Sequence, residues 1–294
     1  MTRSSTAPPY PVTFLDRDGD RLALHRCPEP VPATSSAPGA GPAPLVVVWP
    51  AMGVPARYYR PLAERLVAAG LAVVVVDLRG TGSSTPRPSH RSGYGYADLA
   101  SDVGAVLDLL AAESPGRRIL LLGHSLGGQA CALHLALTAD PRVAGLVLVA
   151  VGLPWFRSYP GGRALQVLAF TQAIVGVATV LRVWPGWGFG GRQARRLIQD
   201  WGFTARHGRF PPLPGRNPDQ ALAVVTTPVL AISVDGDRYT PAATMDHLCA
   251  KMPDAPVRRE HLTAAEAGAE IDHFTWVRAA DAIVAKVVRF ATRG

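Results

Sequence analysis

Short runs of aliphatic residues constrain this chain more than any other feature. Leu45–Trp49, Leu71–Val76, Arg118–Leu122, Val143–Val149 and Pro228–Val234 are rich in Val, Leu and Ile and show no polar alternation. A strand of that kind is stable only with both faces covered, as in a parallel sheet sandwiched between helices. Helix-compatible segments at Ala56–Ala69, Tyr96–Ala112 and 125–138 separate the first four runs. Strand and helix in alternation, joined by right-handed crossovers, predict an α/β fold with a doubly wound, mostly parallel sheet. Residues 12–26 read as a hairpin around Asp18-Gly19-Asp20, and Pro28–Pro44, rich in Pro, Ala, Ser and Gly, as a loop. A helix at 242–251, a strand at Val257–His261 and a terminal helix at Thr275–Thr292 close the pattern. The alternation lapses from Gly152 to about Gln220, which divides the chain into a core, 1–151 and 221–294, and a helical insertion, 152–220.

The most informative turn lies inside Ile119–Cys131, Ile-Leu-Leu-Leu-Gly-His-Ser-Leu-Gly-Gly-Gln-Ala-Cys. A buried strand stops at Gly123 and a helix begins around Ser125. The resulting Gly-x-Ser-x-Gly places a serine on a sharp strand-to-helix turn whose flanking residues must lack a Cβ for the two elements to pack closely. The helix directs its positive end at the same point. Ser125 is therefore the candidate nucleophile.

In open α/β sheets ligands bind beyond the carboxyl ends of the strands. A serine hydroxyl needs a base, and the base needs an acid to hold its tautomer. After Val234 comes Asp235-Gly236-Asp237-Arg238-Tyr239-Thr240-Pro241, and near the C-terminus Ile271-Asp272-His273-Phe274. His273 is the histidine that lies in the right order, and either Asp235 or Asp237 can serve as the acid.

These stretches resemble the α/β-hydrolase superfamily over essentially the whole chain. The likeness rests on Gly-His-Ser-Leu-Gly-Gly at 123–128, Asp77-Leu78-Arg79-Gly80-Thr81-Gly82-Ser83-Ser84, Asp237-Arg238-Tyr239-Thr240-Pro241 and Asp272-His273-Phe274. Pro50-Ala51-Met52-Gly53 with Tyr58-Tyr59, Gly93-Tyr94-Gly95-Tyr96 and Phe189-Gly190-Gly191-Arg192 are similar to a bacterial subgroup of hydrolases whose substrates are largely uncharacterised. The resemblance implies the α/β-hydrolase fold and a Ser125–His273–Asp237 triad. Its acid stands four residues before a proline, here Pro241, which favours Asp237 and leaves Asp235 as a turn cap. His124 is expected to support the turn. The oxyanion donors it implies are the N–H of Leu126 and one from the loop after the first core strand, where Trp49-Pro50-Ala51-Met52-Gly53 replaces the usual His-Gly. Register favours Ala51, with Met52 the alternative, because proline has no N–H.

The insertion falls where this superfamily often carries a cap. Ala164–Leu181 is uncharged between Arg163 and Arg182 and is long enough to cross a bilayer. A crossing would put the two halves of one sheet on opposite sides of the membrane, so no transmembrane span is expected. The plainest reading is an apolar helix pair buried against the core. The alternatives are a lid lining an apolar acyl pocket or a surface touching a membrane. Trp155, Phe156, Trp184, Trp187, Phe189 and Trp201 are candidates to line such a pocket, although aromatics this dense also build cores. Nine arginines against Asp200 and Asp219 give the insertion +7 of the chain's net +8. That is either a solvated face or an attraction for something anionic: a carboxylated substrate, a phosphopantetheine-bearing carrier or an acidic membrane.

All but two of the 30 basic residues are arginine, a compositional bias unaccompanied by any nucleic-acid-binding module. Cys27, Cys131 and Cys249 lack the spacing of a disulfide framework or metal site. No apolar leader follows Met1, so the cytoplasm is the expected compartment. The chain thus reads as a serine hydrolase of the esterase, lipase or thioesterase kind. It would need no cofactor or metal and no nucleic acid, and would act on a small ester or thioester with an apolar acyl part. An acyltransferase using the same triad is the alternative within enzymes, and a non-catalytic ligand- or partner-binding protein the alternative outside them.

Overall fold

Each aliphatic run forms a strand. The computed structural model describes residues 10–17, 19–30, 42–213 and 215–292. An edge hairpin, β1 (Val12–Arg17) and β2 (Asp20–Arg26), is followed by β3 (Leu45–Trp49), β4 (Ala72–Val76), β5 (Ile119–His124) and β6 (Val143–Val149). A two-residue ladder, β7 (Val183–Trp184) with β8 (Gln193–Ala194), stands apart. The main sheet then resumes with β9 (Val229–Val234) and β10 (Val257–Leu262). Its order is β1-β2-β4-β3-β5-β6-β9-β10. From β4 to β10 every pair is parallel, and the hairpin adds an antiparallel edge.

Helices cover both faces, as the unalternated strands require. Successive residues of β3 point to opposite sides. Val46 and Val48 pack with α1 (Arg60–Ala68) and the C-terminal helix, while Val47 and Trp49 pack with α2 (Tyr96–Glu113) and α3 (Leu126–Thr138). All five residues of β3 are buried. Between β6 and β9 the chain leaves the sheet for α4 (Arg163–Leu181), α5 (Arg195–His207) and α6 (Pro218–Ala223). It returns through α7 (Ala242–Cys249), β10, α8 (Ala264–Ala267) and α9 (Asp281–Ala291).

Two expectations need correction. Ala164–Leu181 is not a buried helix pair. It lies in one continuous helix, α4, of which only Thr171, Ile174 and Ala178 are buried. Those three fall on one stripe, at i, i+3 and i+7, which packs toward α5, where Gln172 donates to the Gly202 carbonyl at 3.0 Å. Among the described residues no element covers the opposite stripe. The terminal helix is also broken: a 3₁₀ turn at Thr275–Val277 is followed by α9 only from Asp281. Trp276 causes the break. It is fully buried, and its Nε1 donates to the His273 carbonyl at 3.1 Å, which fixes this turn under the sheet end. Asp18 of the first hairpin and most of the Pro28–Pro44 loop lie outside the described residues.

The loop after β4 is organised by Asp77, which is almost fully buried. Its Oδ1 accepts from the Ala56 amide at 2.6 Å, and its Oδ2 from the Ser83 amide at 2.8 Å, with His25 Nε2 2.9 Å away. Converting one carboxylate oxygen to an NH₂ would oppose donor to donor in a dry site. Asp77→Asn is therefore expected to lower unfolding free energy by roughly 2–4 kcal/mol in urea denaturation, with an unchanged m-value.

Candidate active site

Ser125 sits where β5 hands over to α3. It is the N-cap of the helix and adopts φ 50°, ψ −120°, outside the regions open to ordinary side chains. The neighbouring glycines make this turn possible. A Cβ at Gly123 would overlap the Gly128 backbone, and one at Gly127 would overlap the Trp49 and Pro50 carbonyls. Neither obstacle is a side chain that can swing away. Parallel pairing sets Trp49 beside Gly123, so the Pro50–Gly53 loop leaves the sheet next to the serine.

From β9 the chain enters a tight turn at Gly236 (φ 67°) and presents Asp237, which is buried. Its Oδ1 accepts from the Tyr239 and Thr240 amides, both at 2.8 Å. Its Oδ2 lies 2.7 Å from the Thr240 hydroxyl and 2.9 Å from His273 Nδ1. Burial opposes ionisation of this carboxyl, but the His273 hydrogen bond and charge, with the Thr240 donors, outweigh it and hold the group below the usual carboxylate range. Asp235 points elsewhere. It lies 2.8 Å from His261 Nε2 and caps α8 through the Ala264 amide. Of the two aspartates offered by the sequence, only Asp237 contacts His273.

Ser125 and His273 line the same cavity of about 630 Å³, and the Ser125 hydroxyl has no hydrogen-bond partner among the described residues. The His273 ring is packed between His124, Phe274 and Tyr239, with centroids 4.8, 4.8 and 5.2 Å away. His124 points down from the turn, away from the cavity. Burial, then the adjacent His273, push its pKa far below the ordinary histidine range, so it is neutral beneath its partner.

One expected oxyanion donor is already engaged. The Ala51 amide donates to the hydroxyl of Tyr59 at 2.8 Å, and that oxygen lies 2.7 Å from His124 Nδ1. Tyr59 is 0% exposed, so no water competes for this bond. Ala51 is thereby withdrawn as a donor to bound ligand. The Met52 amide, next along the same cavity-lining loop, has no acceptor among the described residues, and Leu126 lines the cavity from the start of α3. The phenol grips the residue before Met52 and, through His124, the residue before Ser125. It staples together the two strand ends from which Met52 and Leu126 arise.

The aromatic expectations also change. None of Trp155, Phe156, Trp184 and Trp187 reaches the cavity. Trp155 stacks on His247 with centroids 4.7 Å apart, and Phe156 sits in a surface turn beneath the Arg157 guanidinium. Trp184 is buried with its Nε1 donating to the Phe189 carbonyl, and Trp187 is 65% exposed. The other two aromatics of the expected set, Phe189 and Trp201, do line it, packed together at 5.0 Å, and Val167 and Phe170 of α4 complete the walls. Aromatic density could not tell inward from outward positions; the helical spacing of Val167, Phe170 and Thr171 is the signal that could have. Arg163 and Arg238 also line the cavity, whereas no Asp or Glu does among the described residues. Arg163 Nη2 donates to the Arg238 carbonyl at 2.7 Å and the Tyr159 hydroxyl to the Tyr239 carbonyl, so two residues of the insertion hold the turn that carries Asp237.

Comparison with known proteins agrees with this architecture. Residues 40–206, more than half of the chain, match the family described as serine aminopeptidase, S33. A 98-residue stretch is 42% identical to a putative carbamate hydrolase of Variovorax paradoxus, covering 33% of this chain and 34% of that protein, so the chain spans about a third of that relative's length. Rhodomycin D methylesterase of Streptomyces peucetius is 31% identical over 238 residues, 66% of this chain and 75% of the other. The crystal structure of a hydrolase from Pseudomonas aeruginosa shares the fold at a TM-score of 0.61 and 22% identity, over 96% of this chain and 98% of that one. The chain belongs to the α/β-hydrolase superfamily, in the S33 serine aminopeptidase family, and is a hydrolase.

Proposed function

We propose that this hydrolase cleaves an ester or thioester with an apolar acyl part through an acyl-enzyme on Ser125. The observation that carries this reading is the buried Asp237–His273 pair, 2.9 Å apart, whose His273 shares an aromatic-walled cavity with a serine held on a strained turn. In this scheme His273, with Nδ1 facing Asp237, takes the Ser125 proton as the hydroxyl attacks the acyl carbon. The leaving alcohol or thiol then receives that proton. Water, deprotonated by the same imidazole, attacks the acyl carbon and releases the acid and free serine. Asp237 keeps the imidazole in the required tautomer and stabilises its cationic form. The Leu126 and Met52 amides hold the charge that develops on the carbonyl oxygen. The neutrality of His124 supports the scheme, since a cation 4.8 Å below His273 would oppose its protonation.

The walls support an apolar acyl group, and the insertion acts as the cap that supplies them. Phe170, Phe189, Val167 and Trp201 present hydrocarbon, while Arg163 and Arg238 bring positive charge with no carboxylate among the described lining residues to offset it. Such a cavity suits a substrate that carries a negative group beyond the scissile bond, or one whose product acid is drawn from the serine.

A fluorophosphonate should add once to the wild type, read by intact mass, and not to Ser125→Ala. With p-nitrophenyl esters, kcat/KM should rise with acyl length from acetate upward and fall at least a thousandfold in Ser125→Ala. A well-folded wild type that takes no adduct would sink the mechanism. Replacing Tyr59 by Phe leaves the Ala51 amide without its acceptor and loosens the Met52 loop. Its expected effect is a roughly ten- to hundredfold drop in kcat with KM nearly unchanged, approaching the ~10²–10³ of a deleted oxyanion donor. Fluorophosphonate labelling should persist at a reduced rate.

Asp237 also gives a pH signature. Its folded pKa lies below the unfolded value near 3.9, so its contribution to stability is complete above that value and disappears as pH falls through the folded one. Urea denaturation from about pH 5 to pH 2 should show a shallower acid limb for Asp237→Asn than for the wild type.

A further inference from the structure

The outer stripe of α4 is a large apolar surface with nothing over it among the described residues. Leu165 is 68% exposed and Val180 80%, at opposite ends of the helix, and Ala169, Ala173 and Gly176 lie exposed between them on the same face. Phe170 and Leu181 are exposed beside the stripe. In the loop that follows, Trp187 is 65% exposed and adjoins the cavity-lining Gly188. Five of the eight large hydrophobic side chains exposed among the described residues fall within 165–187. Contiguous exposure of that kind marks an interaction surface.

The segment that carries this face has charge of one sign. From Gly152 to Gln199 there is no Asp or Glu, while Arg157, Arg163, Arg182, Arg192, Arg195 and Arg196 supply six positive charges. Arg157, Arg182, Arg192 and Arg196 are exposed, and Arg182 follows the last residue of α4. An uncharged apolar helix with arginines at its ends and a tryptophan nearby suits the boundary of an anionic membrane, where hydrocarbon enters the acyl region and guanidiniums meet phosphate. A crossing is excluded by the opposite stripe, because Thr171, Ile174 and Ala178 are buried in the protein. A second copy of this chain would bring one arginine-rich surface against another, so charge complementarity favours lipid.

We propose that the outer face of α4, with Trp187 and the flanking arginines, docks the protein in the plane of an anionic lipid bilayer, with the cavity mouth beside the membrane. Phe170 joins the two regions: it is half-exposed on α4 and also lines the cavity, against Phe189 at 5.6 Å. Docked this way, the chain would receive a lipophilic ester from the bilayer without that ester crossing water.

Co-sedimentation with vesicles tests the docking independently of catalysis. The full chain should partition onto phosphatidylcholine vesicles containing 30 mol% phosphatidylglycerol and much less onto pure phosphatidylcholine, with the difference shrinking in high salt. Leu165→Gln/Val180→Gln, at two positions that do not line the cavity, should lose at least tenfold in partition while keeping wild-type turnover of a water-soluble short ester. Arg182→Gln should lose about fivefold on anionic vesicles only. Ser125→Ala should bind like the wild type, so a failed hydrolase mechanism and a failed docking surface give different results. No partition onto anionic vesicles, or partition unaltered in the double variant, would overturn the proposal. So would a wild-type dimer that the double variant turns into a monomer without any vesicle binding, because the face would then join two copies of the chain.

Discussion

The backbone of Ser125 is the constraint on which the site depends. A side chain at φ 50°, ψ −120° is held against local preference, at a cost of order 1–3 kcal/mol, and it persists only where its surroundings leave no alternative. Here they are β5, paired on both sides within a buried parallel sheet, and α3, drawn against it by three glycines at 123, 127 and 128. Relaxing the turn would separate helix from sheet and open the core they share. The strain is sustained by burial, and the serine hydroxyl is left projecting at the sheet's edge.

The same edge gathers the other groups, because parallel strands end on one side. β3, β5 and β9 deliver the Met52 loop, Ser125 and Asp237 to neighbouring points without any long-range sequence signal. For that reason so much could be read from the chain alone. Aliphatic runs identify buried strands, and residues just beyond them are the ones able to meet. The spacing to Pro241 already favoured Asp237 over Asp235, although both follow β9 and both cap a turn. What separates them is direction: one carboxylate faces His261 at the surface, the other His273 beneath it.

The misjudged features share a physical cause, which is that they depend on contacts across the fold. Tyr59 lies eight residues from Ala51 and sixty-five from His124, and its hydroxyl gains meaning only when β3 and β5 lie side by side. The terminal helix looks continuous because nothing in Thr275–Thr292 is a helix breaker; it breaks because a buried tryptophan must reach the His273 carbonyl. Likewise, Phe189 lines the cavity while Trp184, five residues earlier, anchors the Phe189 carbonyl from behind. Composition cannot distinguish a wall from its support.

The insertion is tied to the chemistry more closely than a passive covering would be. Arg163 and Tyr159 bond the carbonyls of residues 238 and 239, within the turn whose amides hold Asp237. Any displacement of the first turn of α4 therefore pulls on the segment that positions His273. Further along, the same helix gives Val167 and Phe170 to the cavity and its opposite stripe to solvent. One rigid element thus touches the Asp237 turn, the cavity wall and the exposed apolar face. A contact made on the outside of α4 has a direct mechanical route to the cavity, because a nineteen-residue helix moves as a unit and its first residue is bonded to the turn beside Asp237.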